Sequence, residues 1–238
     1  MDRTNIGNAR VAGMDTDLEL DSDRYSIALI IFFVSYVIFE IPSNMILSRT
    51  RPSLYLSTIM MLWGAVTIGM AFSPNYRALV GFRFVMGLLE SGFAPGVLVL
   101  LSSWYRKEEQ GKRFAIYISA AIISGAFGGI LAGVITDKLD QFRGIRGWRW
   151  LFIIEGAITI VVAMVSAFVL PDFPENTSRK KFNDQERQLA IERLRSASEP
   201  DAREARVTHL TALRLGLTNF KTWLFVLGYM VCLRARSR

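Results

Sequence analysis

Long apolar runs alternate with short charged segments along the chain. Five runs of at least 21 residues cover positions 25–48, 54–76, 78–105, 114–136 and 150–170. Their charged residues are Glu40, Arg83, Glu90 and Glu155. A surface helix of a soluble protein needs a polar face toward water, whereas about 20 apolar residues match the hydrocarbon thickness of a bilayer. The pattern therefore predicts five membrane-spanning helices, because a bilayer offers no partner for unpaired backbone groups.

The segments between these runs predict the topology. If the helices alternate in direction, residues 49–53, 106–113 and 171–219 lie on one side of the membrane. That side holds fifteen Lys and Arg residues against eight on the other side, so the positive-inside rule places it in the cytosol. The net charge of +7 and the pI of about 9.8 are thus explained by topology, and no nucleic-acid partner is expected.

The sequence divides the chain into three parts. Residues 1–170 are expected to form the transmembrane bundle. Residues 171–219 are expected to form a cytosolic loop with two short helices. One is predicted at 184–198, directly after a start signal at Asn183, and the other at 208–217, where the sequence suits a helix that lies at the membrane interface. The apolar run that begins at Phe220 ends at Leu233, which is too short to span, so residues 220–238 are expected to be the broken start of another helix.

Cysteine and histidine provide no catalytic or metal-binding set. Cys232 and His209 are each the only residue of their type, and no Ser/His, Cys/His or ligand cluster lies at membrane depth. We therefore expect no metal, no cofactor and no enzyme activity.

Arg83 and Glu90 are the intramembrane charges with the clearest spacing. They are seven positions apart, which places them on one helix face about 10.5 Å apart in rise, with Gly87 between them. One interpretation is a protonatable carboxylate that the arginine holds or releases. The other is a static salt bridge that locks two helices together. For Glu40, before the kinking Pro42, and for Glu155 a structural role is favoured.

Small residues form a row in the fourth run. Gly125, Gly129 and Gly133 recur every four residues, and this spacing allows another helix to approach closely. The row predicts tight packing and carries little information about a ligand.

Several segments together resemble one family of carriers. They are "DRTNIGNA" at 2–9, "IFFVSYVIFEIPSN" at 31–44, "RFVMGLLESGFAPG" at 83–96, "GAFGGILAG" at 125–133 and "GWRWLFIIEG" at 147–156. In this order they resemble the fungal anion:cation symporter branch of the major facilitator superfamily, whose members include allantoate and nicotinate permeases.

This resemblance implies a fold, an activity and site residues. The fold is all-α, the N-terminal six-helix half of a twelve-helix carrier that works by alternating access. The activity is proton-coupled uptake of a small organic anion across the lipid bilayer, with the plasma membrane as the expected location. Arg3, Asn5 and Tyr36 are the implied substrate-binding residues, and Asp2, Arg83 and Glu90 are those implied in proton coupling.

The sequence departs from the family pattern at three places. The turn at 48–52 lacks the usual acidic residue and glycine before its basic pair. Most of the first helix and the C-terminal half of the carrier are also missing, so the chain is expected to be truncated at both ends. The alternative function is therefore a non-transporting membrane fragment, or a nutrient sensor that binds a partner through 171–219.

Overall fold

The computed structural model describes residues 2–177, 182–197, 218–220, 222–224 and 227–228, with side chains except at 2–4, 184 and 195–197. The chain divides into two compact units, Met1–Ala197 and Ser198–Arg238. In the second unit, residues 222–224 are helical. The helix expected at 208–217, together with His209 and Cys232, lies outside the described residues, and the broken helix expected at 220–238 stays a prediction.

The chain begins with a helix that bends near Gly13. Helix α1 (Asp2–Ala9) continues into a wider π-helical turn (Arg10–Met14) and ends in the short α2 (Asp15–Asp17). Gly13 has a φ of +94°, a left-handed conformation that glycine adopts without steric cost. The first helix therefore changes direction before it reaches α2.

Five helical segments are long and apolar enough to cross a membrane, which confirms the expected all-helical, multi-pass fold. These segments are α3 (Ser22–Leu47), α4 (Pro52–Ala71), the consecutive α5 (Tyr76–Glu90) and α6 (Phe93–Ser102), α7 (Lys107–Lys138) and α8 (Gly147–Val169). Several begin before their apolar runs because polar residues start them. Asp21 Oδ1, for example, accepts the backbone N–H of Arg24 at 2.7 Å and caps α3.

The third span is divided, whereas its sequence predicts one run over 78–105. Helix α5 ends at Glu90, and α6 begins at Phe93 after a turn at Ser91 and Gly92. Pro95 explains the break, because proline has no backbone N–H to donate to the carbonyl of Ser91, four residues earlier. The span therefore consists of two helices that meet directly after a buried carboxylate.

Two glycines bring α4 and α8 into backbone contact. A methyl group placed on Gly156 would lie 2.6 Å from the carbonyl oxygen of Gly64 and 2.6 Å from Ile68 Cγ1. One placed on Gly64 would lie 2.9 Å from the carbonyl oxygen of Gly156. Small residues permit such close approach between membrane helices, where van der Waals packing replaces the hydrophobic effect.

The expected glycine row on α7 makes no such contact. Outside the adjoining backbone of α7, a methyl group on Gly125, Gly129 or Gly133 would meet no atom of the described residues within 4 Å. The surrounding surface is apolar, since Ile118 and Ile122, on the same face of the helix, are 55% and 68% exposed. This side of α7 therefore presents the kind of surface that lipid or another helix covers.

At one end of the bundle, the chain that leaves α8 folds back over the other helices. We call this the basic end; it comprises the turns at 48–51 and 103–106 and residues 170–177 and 182–197, and it is the end expected in the cytosol. Helix α9 (Asp184–Ala197) lies there, close to the expected range of 184–198. At its start, the backbone N–H of Asn183 donates to Glu186 Oε2 at 2.9 Å, which is half of a capping box.

The glycine contact between α4 and α8 gives a stability prediction. Gly156→Ala should lower the free energy of unfolding by roughly 1–3 kcal/mol, because the added methyl group overpacks a backbone contact. Unfolding of the purified chain in detergent, followed by circular dichroism, measures the loss. Gly129→Ala is the matched control and should lose no stability, because the added methyl group meets no described neighbour and alanine is favoured over glycine in a helix interior by roughly 0.5–1 kcal/mol. Equal losses in both variants would show that the close approach does not stabilise the bundle.

Candidate functional site

The face of α5 that carries Arg83, Gly87 and Glu90 is buried in the bundle. Arg83 is 1% exposed and Glu90 is 9% exposed. Between them, a methyl group on Gly87 would overlap the carbonyl oxygen of Phe32 and the hydroxyl of Ser35 on α3. Helices α3 and α5 therefore touch through their backbones at a point between two buried ionisable side chains.

Aromatic and thioether groups lie beside the Arg83 guanidinium. Its Nη1 is 3.9 Å from Met86 Sδ, and its Cζ is 6.0 Å from the centroid of the Phe32 ring. The Phe32 ring in turn lies 6.1 Å, centroid to centroid, from the ring of Tyr36. Phe32 thus connects two of the predicted site residues. The described ion pairs do not include one between Arg83 and Glu90, so that pairing stays a prediction.

The position of Glu90 is fixed by the break that follows it. A methyl group on Gly92 would overlap the Ser43 hydroxyl on α3. The hydroxyls of Ser43 and Tyr55 share a hydrogen bond that joins α3 to α4 at the same point. The backbone two residues after Glu90 is therefore held between two helices. Sequence reasoning missed this pair, because two hydroxyls within apolar runs give no periodic signal.

Asn5 is buried in the bundle on α1. It is 0% exposed, and neither Nδ2 nor Oδ1 of its amide has a hydrogen-bond partner in the described structure. A buried polar group without a partner costs roughly 1–3 kcal/mol, so such a group is a candidate for contact with a ligand or water. Asp2 and Arg3 precede it on α1, but their side chains lie outside the described residues, and their roles stay predictions.

Glu155 is a third buried ionisable residue. It is 6% exposed and lies beside a cavity of about 190 Å³ between α4, α7 and α8, whose lining includes Trp63 and Thr67. Its sequence position beyond Trp148 suggested a structural role at the membrane interface. The sequence shows Glu155 as a charge within an apolar run. It does not show the cavity, because residues of three separate helices line it.

The described part of the chain thus places Tyr36 and Arg83 near each other through Phe32, and it buries Asn5 and Glu90 in the same unit. Guanidinium groups bind carboxylates through paired, charge-assisted hydrogen bonds. A buried carboxylate can take up or release a proton when its surroundings change. The arrangement therefore has the groups required to bind an anion and to carry a proton.

Comparison with known proteins gives the family. The model of the Major Facilitator Superfamily matches residues 1–233. The MFS transporter prlL of a fungal species is 42% identical over 201 residues, which are 82% of this chain and 40% of that protein. The pantothenate transporter liz1 of Schizosaccharomyces pombe is 34% identical over 194 residues, which are 82% of this chain and 38% of that protein. The chain thus spans about two fifths of the length of the curated relatives it matches.

A solved structure shares the fold. It is the crystal structure of a bacterial homolog to the human lysosomal transporter Spinster, in an inward-facing and occupied conformation. The TM-score is 0.58 at 22% sequence identity, over 76% of this chain and 43% of that chain. This identity supports the helical arrangement alone. The expectations of a transporter fold and of a non-enzymatic protein are confirmed by the family match. The chain is a multi-pass membrane protein that belongs to the Major Facilitator Superfamily.

Proposed function

We propose that the chain is the N-terminal part of a proton-coupled carrier for small organic anions. The observation that carries the proposal is the burial of Arg83 and Glu90 on one face of a membrane-spanning helix. Intramembrane ionisable residues are costly and usually mark a substrate or ion path. A purely structural pair is the weaker explanation, because the glycine contact at Gly87 already brings α3 and α5 together.

The substrate class follows from the charges available. An arginine binds a carboxylate better than it binds a neutral solute, since its planar donors match both oxygens. Arg3, at the start of α1, and the buried Arg83 are the candidates for this contact. The buried amide of Asn5 adds two donors and an acceptor that the described fold leaves available. The pantothenate transporter among the relatives supports this class, because pantothenate carries one carboxylate.

Glu90 and Asp2 are the proposed proton carriers. Protonation would remove the negative charge of Glu90 before an anionic substrate enters the same region, so that proton and anion move together. Alternating access would then expose the loaded site to each side in turn, with a second half of the carrier facing this one. The plasma membrane is the proposed location.

A single substitution tests the coupling. In a full-length carrier with both halves, Glu90→Gln should abolish accumulation driven by a pH gradient, because glutamine mimics a permanently protonated carboxylate. Substrate exchange across equal concentrations should be retained, since it requires no net proton movement. Uptake of radiolabelled pantothenate into proteoliposomes measures both.

Glu40→Gln is the matched control for this test, because Glu40 lies in a span but is only half-buried. It should retain gradient-driven accumulation. Normal accumulation in Glu90→Gln would eliminate Glu90 as the coupling residue.

The buried amide of Asn5 gives a second test. Asn5→Leu should raise the free energy of unfolding by roughly 1–3 kcal/mol, because it replaces an unsatisfied amide with an apolar group of similar size. The same change should weaken substrate binding in the full-length carrier about tenfold or more, as expected when hydrogen bonds to a ligand are lost. Calorimetry and equilibrium binding measure the two effects.

Asn8→Leu is the control on the same helix, because Asn8 is partly exposed. It should change neither quantity appreciably. If Asn5→Leu leaves binding unchanged, the amide does not contact the substrate.

A further inference from the structure

Asp172 connects two distant parts of the chain at the basic end. It lies three residues after α8, and its Oδ1 accepts hydrogen bonds from the Ser53 backbone N–H at 3.1 Å and from the Ser53 hydroxyl at 2.6 Å. Ser53 is the second residue of α4, and it is 6% exposed. The residue at the usual capping position, Arg51, makes no side-chain cap. Asp172 therefore caps α4 from a position 119 residues away in sequence.

The main chain of Asp172 forms a hydrogen bond at the end of a second helix, α6. Its carbonyl oxygen accepts the indole N–H of Trp104 at 3.0 Å, in the turn between α6 and α7. The same oxygen accepts the hydroxyl of Thr177 at 2.9 Å, and Thr177 is only 4% exposed. The ring of Phe182 packs on Trp104 with centroids 4.8 Å apart. One residue thus joins the start of α4 to the end of α6.

Helix α9 adds a third attachment. Arg193 forms an ion pair with Glu109 in the first turn of α7. Arg106, directly before α7, also contacts Arg193, because its Nε donates to the main-chain oxygen of Arg193 at 3.2 Å. The segment that follows α8 therefore contacts α4, the α6–α7 turn and α7 through separate groups.

We propose that residues 171–177 and 182–197 form a clasp, centred on Asp172, that makes the basic ends of α4, α6 and α7 move as one body. The turn at 48–51, which joins α3 to α4, contains no carboxylate. Asp172 supplies a carboxylate to this region from a position 119 residues away from Ser53 in sequence. The proposal is independent of the transported substrate, because the contacts described for the clasp do not involve Asn5, Arg83 or Glu90.

Hydrogen exchange of the full 238-residue chain in nanodiscs tests the clasp. Asp172→Ala should raise backbone amide exchange about fivefold in residues 53–56, as expected from loss of a cap. If the clasp is one unit, exchange should also rise in residues 104–110 and in α9. Asp172→Asn keeps an acceptor oxygen and should restore most of the protection.

Two further variants keep the test decisive if Asp172→Ala does not fold. Trp104→Phe removes the indole donor while it keeps a ring against Phe182, and it should raise exchange in residues 53–56 and in α9. Asp140→Ala is the control, because Asp140 Oδ1 accepts the Gly147 N–H at 2.8 Å at the other end of α8. It should leave the basic end unchanged. An increase confined to residues 53–56 in Asp172→Ala, or no change there in Trp104→Phe, would overturn the clasp.

Discussion

In the hydrocarbon core of a bilayer, each backbone polar group has to be bonded within the chain, and each buried charge has to be held by other polar groups. This constraint determines the fold: five spans are helical, and their apolar side chains face outward, as on α7. Because lipid gives no hydrophobic force between helices, close contacts such as Gly64 with Gly156 have to hold the bundle together.

The same constraint identifies the residues that require a functional explanation. Arg83 and Glu90 are buried on α5 although apolar side chains would be less costly there. The break at Ser91 and Gly92 fixes Glu90, because Gly92 lies against Ser43. At the basic end, the helices are joined by polar contacts of Asp172 and Arg193. Close packing of small residues thus holds the helices around Arg83 and Glu90, whereas polar contacts hold the helices together at the basic end.

Local features of the sequence predicted much of this arrangement. Apolar runs identified all five spans, and the seven-residue spacing of Arg83 and Glu90 placed them on one face, because helix period and bilayer thickness are both fixed. Contacts between distant segments were not predictable. The glycine row at 125–133 has the pattern of a helix contact but faces open space, whereas isolated Gly64 and Gly156 meet. The hydrogen bond from Ser53 to Asp172 and the buried amide of Asn5, which has no described partner, likewise depend on how distant segments pack together.

The central claim is that Glu90 changes protonation when the carrier binds an organic anion. Infrared difference spectroscopy measures this directly on a full-length carrier in lipid, with and without an organic anion that this carrier transports. The account predicts a carboxylic-acid C=O band that appears on substrate addition, shifts in heavy water and is missing in Glu90→Gln. A difference spectrum without such a band, or one in which the band persists in Glu90→Gln, would contradict it.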